Sequence, residues 1–188
     1  MPKVLITTGD AGEVLEVLHP YWRLQEEGHE VHIAAPSRKR LQLVAHDGAA
    51  GFDTFTEKPA HTWPGDAAFG EIDPADYAGL VVPGGRAPEY LRLDEDFRRI
   101  VRHFFDRDKP VAHISHAAVA LAPLGVLAGR RTTCWPACAP DVQAGAGTFV
   151  DEPVVLDGAM VSAQAWHAQA PWMRHFVELL RSGVPAAV

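Results

Sequence analysis

The sequence predicts an α/β protein with an open, mainly parallel sheet and helices on both faces. Three observations carry this. Short, β-branched apolar runs recur at residues 3–8, 30–35, 77–82 and 111–114. Amphipathic helical stretches alternate with them, the pattern of a doubly wound sheet. The first strand–helix–strand unit ends near residue 35, about the size of a parallel βαβ pair.

The elements follow in order. Residues 3–8 read as a buried strand. Residues 12–28 read as a helix, with Val14, Leu15, Val17, Leu18, Tyr21, Trp22 and Leu24 at helical spacing and Gly28 as its stop. Residues 30–35 are the second strand. The pattern then loosens. A short strand over 41–44, a turn at His46-Asp47-Gly48 and a partner over 52–55 suggest an appended hairpin. Residues 59–70, polar and containing proline, read as a surface loop. The third core strand, 77–82, runs into Pro83-Gly84-Gly85. A helix over 93–108 is broken by Lys109-Pro110. The fourth core strand, 111–114, leads into a helical run, 117–127, closed by Gly125 and Gly129. A strand over 131–134, a short helix over 140–144 and a hairpin follow. The hairpin joins 153–156 to 160–163 around Asp157-Gly158. An amphipathic helix over 166–180 closes the chain.

At 188 residues, 47% hydrophobic, the chain supplies one sizeable core and too little for two. A single domain over residues 1–188 is expected. The net charge is −7, and no cationic run exceeds Arg38-Lys39-Arg40. Nucleic acid and anionic membranes are therefore poor partners. No run reaches the roughly 18 apolar residues of a membrane span, and no leader pattern opens the chain, so a cytoplasmic location is expected. Cys134 and Cys138 are too few for a disulfide framework and lack zinc-site spacing; both read as structural. The ten histidines are scattered, so no metal is expected, and no cofactor. A nucleotide site lacks its glycine fingerprint after the first strand.

The stretch Ile114-Ser115-His116-Ala117-Ala118 is the most informative. A serine at a strand-to-helix turn sits where a nucleophile elbow would expose its hydroxyl near a helix N-terminus. The turn also lies at the C-terminal end of a parallel strand, where open α/β sheets place ligands. Ala117 and Ala118 suit a cramped elbow, although its usual glycine flanks are missing; a tight turn also tolerates serine for its size alone. In Pro83-Gly84-Gly85-Arg86-Ala87-Pro88-Glu89, Gly84 and Gly85 let backbone N–H groups approach an anionic atom closely. They are candidate oxyanion donors beside Ser115, or an ordinary turn. Glu13, after the first strand, is a candidate partner for Ser115, or simply an acid favoured at a helix N-terminus. Glu16 reads as the latter. Trp135, Trp166 and His167 follow strand ends and are candidate pocket walls, or core.

Taken together, these stretches resemble the ThiJ/PfpI family of the class I glutamine amidotransferase-like superfamily, most of all its PfpI-type intracellular protease branch. The matching residues include Glu13, His19-Pro20-Tyr21-Trp22-Arg23-Leu24, Glu27-Gly28-His29-Glu30-Val31, the Pro83–Glu89 run, Lys109-Pro110-Val111-Ala112-His113-Ile114 and Asp157-Gly158. The resemblance implies a flavodoxin-like three-layer sandwich. It also implies an elbow nucleophile at Ser115 followed by His116, a carboxylate at Glu13, and a glutamate at Glu89 that reaches the histidine of a neighbouring subunit. Backbone donors near Gly85 and His116 would form the oxyanion hole. Dimers or hexamers are implied, with peptidase, glyoxalase or deglycase activity on a small-molecule substrate.

The chain departs from the family at the elbow, where cysteine is usual and serine stands here. A thiolate attacks without a separate proton acceptor, whereas a serine hydroxyl needs a positioned base. Four readings stand. Ser115 is a working nucleophile of a hydrolase or glyoxalase-type enzyme. Glu13 and His116 perform non-covalent lyase or hydratase chemistry. The protein is a silent ligand-binding or stress-response module. Or the chain is an engineered cysteine-to-serine variant.

Overall fold

In the computed structural model the described residues are 2–182, so both ends of the domain expected over 1–188 lie outside them. β1 (Lys3–Thr7), α1 (Val14–Glu26) and β2 (Glu30–Ala35) form the expected parallel unit, with Lys3 opposite Glu30 and Thr7 opposite Ala34. α1 begins where it does because the Glu13 carboxylate turns back to accept the Glu16 N–H at 2.9 Å. Past its end, Gly28 adopts a φ of +82°.

β3 (Arg40–Asp47) and β4 (Thr56–Pro64) form a separate antiparallel hairpin. This corrects the sequence reading in two respects. The strand begun at 41–44 runs on to Asp47, and its partner is not 52–55 but a strand through half of the expected surface loop. Pro59 is tolerated because β4 pairs with β3 alone, and because the ladder shifts register between Gln42 and Val44, opposite it. Trp63 of β4 lies edge-on to Tyr21 and Trp22 of α1, with centroids 5.5 and 5.8 Å away, which seats the hairpin on that helix.

β5 (Ala67–Ala68) and β6 (Tyr77–Val82) follow, then α2 (Ala87–Leu91), α3 (Glu95–Asp106) and β7 (Val111–Ile114). α2 is a helical turn that the sequence reading left inside the glycine turn. α3 starts at Glu95 rather than 93 because Asp94 caps the Phe97 N–H at 2.9 Å. α4 (Ala117–Leu121) is shorter than the run to 127: Pro123 falls in a 3-10 turn, and Gly125 at φ +74° ends it. β8 (Arg131–Thr132) is shorter than expected and pairs, outside the main sheet, with β9 (Thr148–Phe149), across α5 (Ala139–Ala144). β10 (Val154–Asp157) and β11 (Met160–Ala163) form the expected hairpin, and α6 (Gln169–Ser182) follows a 3-10 turn over Trp166–Ala168.

The main sheet has the order β10-β11-β7-β6-β1-β2-β5, parallel except for β10. One buried cluster packs Phe97, Phe104 and Leu121 against Leu5, Leu80 and Val111. The other packs Val17, Leu24, Trp172 and Phe176 against Ile6, Ile33 and Val81. The protein is thus a three-layer, flavodoxin-like sandwich. Each of these fully buried large side chains contributes about 1.5–3 kcal/mol. β1, β6 and β7 are neighbours at the sheet centre, so Gly12–Glu13, Gly84–Gly85 and Ser115 emerge together at one end. Among the described residues no helix is long and apolar enough to cross a membrane.

Candidate active site

β7 ends at Ile114 and α4 begins at Ala117, so the chain reverses within two residues. Ser115 absorbs the reversal with a φ of +58°, a left-handed conformation costing about 1–2 kcal/mol in an L-residue. Its N–H donates to the Ala163 carbonyl at 2.9 Å, which pins the turn to β11. Ala117 and Ala118 are fully buried beneath it. Ser115 is only 2% exposed, and its Oγ lies 3.2 Å from Nδ1 of His116. Burial, then the nearby His46, push the His116 pKa down to about 4, against the opposing pull of Asp141. The imidazole is therefore neutral near pH 7, and its Nδ1 can accept the Ser115 proton.

Two glutamates lie under the elbow, one helical turn apart. Glu13 is the N-cap of α1; besides Glu16, the backbone N–H groups of Leu15 and His46 act on its carboxylate. Glu16 reaches further. Its Oε2 accepts the Gly84 N–H at 2.7 Å, and the Ser115 side chain lies against the same carboxyl. The sequence reading put Glu13 in this place and treated Glu16 as structural. An N-cap side chain folds back on its own helix, whereas the residue three positions on projects over the sheet end. Burial raises the pKa of Glu13, and that of Glu16 well above the carboxylate range, the Glu13 charge adding to the second. Oε1 of each is buried without a hydrogen-bond partner.

The glycine turn is built for close approach. A Cβ on Gly84 would stand 2.6 Å from Glu16 Oε2 and 2.9 Å from both His116 N and Ser115 Cβ. Gly85, at φ +78°, would meet the Ala11 carbonyl at 2.3 Å and pairs with Gly12 in an isolated bridge. The Gly84 N–H is committed to Glu16, so of the two expected oxyanion donors Gly85 is the one not spent on that carboxylate.

Of the pocket residues, Trp135 lies nearly parallel to His116 (6.4 Å, 18°) and to Trp166 (6.2 Å, 16°). Both tryptophans line a cavity of about 270 Å³ with Phe52, Asp53 and Phe55. His167 is exposed and does not line it; Glu89 is exposed in the first turn of α2. Cys134 and Cys138 are buried, and burial pushes both thiols up, Cys138 to about 12. Neither supplies a thiolate to the elbow. Among the described residues no three His, Cys, Asp or Glu side chains are grouped to hold a metal ion.

Sequence reasoning missed His46, Phe55 and Glu57. His46 had been read as a turn residue. In fact it sits in β3 directly opposite Glu57 of β4, its Nε2 3.0 Å from the carboxylate. Phe55 stacks on His46 (4.2 Å) and lies edge-on to His116 (5.4 Å). The signal was out of reach because it depends on the register of a hairpin containing an irregularity.

The sequence matches the model of the DJ-1/PfpI family over residues 2–179. It is 40% identical to "Deglycase TK1284" of Thermococcus kodakarensis, covering 95% of this chain and 99% of that one. It is 36% identical to "Deglycase PfpI" of Pyrococcus furiosus with the same coverage. The fold superposes on a ThiJ/PfpI domain protein from Brachyspira murdochii with a TM-score of 0.81, 21% identity and 96% of each chain covered.

Proposed function

We propose that this chain, which belongs to the DJ-1/PfpI family, is an enzyme acting on a small carbonyl or amide substrate through Ser115. The observation that carries the reading is the Ser115 hydroxyl at 3.2 Å from a neutral His116. Ser115 Oγ bonds to the carbonyl carbon as its proton passes to His116 Nδ1, and the carbonyl π pair moves onto oxygen. Backbone N–H groups of Gly85 and His116 are the donors to that oxygen. With an amide, collapse of the adduct expels the amine, which takes the proton from His116. Water then adds to the acyl-serine, giving its proton to His116, and the serine leaves with that proton. Burial raises the pKa of Glu16 well above the carboxylate range, which disfavours a negative charge beside the developing oxyanion.

The deglycase names of the relatives support a carbonyl-directed activity. We assign Glu89 to a contact with the site of a second copy in a dimer or hexamer, and the protein to the cytoplasm. The test is turnover of dicarbonyls and peptide amides by the chain and by Ser115→Ala, Ser115→Cys and Glu16→Gln. A second reading rests on the unpartnered Oε1 atoms of Glu13 and Glu16: the two carboxyls hydrate a substrate without a covalent intermediate. It is favoured if Ser115→Ala retains turnover while Glu16→Gln loses it.

A further inference from the structure

The β3–β4 hairpin brings a second histidine to the site, and that histidine is braced. His46 Nε2 is 3.0 Å from Glu57 Oε2, and the His46 side chain is only 2% exposed. Glu57 is itself gripped by Arg86, whose Nε and Nη2 donate to its two oxygens at 2.8 and 2.7 Å. Such a fork fixes a carboxylate in orientation as well as charge. The other face of His46 stacks on Phe55, whose ring meets His116 edge-on. Its backbone N–H lies near the Glu13 carboxylate and acts on its pKa.

We propose that His46 is a positioning residue of the Ser115–His116 site, held by the Glu57–Arg86 pair so that, through Phe55, it sets the orientation of His116. The inference rests on Ser115 and His116 being the reacting pair. It adds a residue that touches neither substrate nor the reacting atoms. Of the charged groups around the two imidazoles, Glu57 from β4 meets His46 and carries Arg86 from after β6, and Asp141 of α5 acts on His116; Glu13 lies by the His46 backbone and Glu16 by Ser115. The nearby His46 disfavours a proton on His116, which keeps His116 an acceptor. The support lies within one chain.

The experiment combines kinetics with ring-nitrogen NMR titration of His116 in the full chain, His46→Gln, Glu57→Gln, Glu57→Asp and Ser115→Ala. His46→Gln preserves an N–H donor for Glu57. The expected result is a kcat at least about tenfold lower in His46→Gln and Glu57→Gln, with KM within about twofold and recovery in Glu57→Asp. The His116 midpoint rises by about half a pH unit or more in His46→Gln. Unchanged kcat and an unchanged midpoint, with Ser115→Ala inactive, would overturn the proposal and leave the nucleophile reading standing. Full activity of Ser115→Ala overturns that reading instead, and the His116 titration then decides on His46 alone. If His46→Gln does not fold, the kcat of Glu57→Gln against Glu57→Asp decides.

Discussion

The Glu16 carboxylate accepts the Gly84 N–H at 2.7 Å, joining the first turn of α1 to the turn after β6 across 68 residues of sequence. The contact leaves no room for a side chain at position 84, where a Cβ would press on Glu16, His116 and Ser115 at once. Helix, glycine turn and elbow are therefore one packed unit, and each can be probed through the others.

Gly84→Ala tests that unit. Overpacking against backbone and a buried carboxyl is expected to cost about 1–3 kcal/mol, read as a lower midpoint in denaturant unfolding. Because the added methyl points at Ser115 and His116, turnover falls by more than the loss of folded protein accounts for.

Ser115→Gly separates strain from function. Glycine adopts a φ of +58° freely, which removes about 1–2 kcal/mol of backbone strain, while its more flexible unfolded chain returns about 0.4–1 kcal/mol. Calorimetry should find the variant as stable as the parent or slightly more so, and without activity. Ser115→Val, β-branched in the same conformation, should melt lower.

His113 provides a pH prediction away from the site. It is fully buried on β7, its Nε2 2.8 Å from Thr132 Oγ1, and burial holds its pKa near 3. A depressed folded-state value means the stabilisation is complete above the unfolded value of about 6.5. It is lost as pH falls from there towards 3, on the order of 5 kcal/mol in all. Unfolding free energy measured across that window should decline, and His113→Leu should flatten the decline.

The aromatic wall predicts substrate preference. Trp166→Ala opens the cavity and removes apolar contact area, so KM for an apolar or aromatic carbonyl substrate should rise roughly tenfold. The KM of the smallest dicarbonyls should move much less. Equal changes for both would mean that the cavity is not where the substrate's side group lies.

The elbow was legible because its signals are local: an apolar strand, one small polar residue, and helix-forming alanines behind it. Gly85 was legible for the same reason, since its left-handed conformation and contact with Ala11 demand glycine. Choosing between Glu13 and Glu16 was not a local matter. It turns on which face of α1 lies over the sheet end, and that is set by packing against β1 and the hairpin. Pro59 misled the reading of β4, because a proline excludes a central strand but not an edge one. The His46–Glu57 pair was hidden for a related reason: the residues oppose each other only once the irregular register is known. Trp166 and His167 are adjacent in sequence, and the 3-10 turn alone decides that the tryptophan faces the cavity.

The central claim is that Ser115 does the chemistry. Its most direct test is kcat/KM of Ser115→Ala beside the parent chain on the same panel of dicarbonyls and peptide amides. The account predicts a fall of at least about 10²-fold on whichever substrate the parent turns over. A Ser115→Ala protein that works at the parent's rate would contradict it.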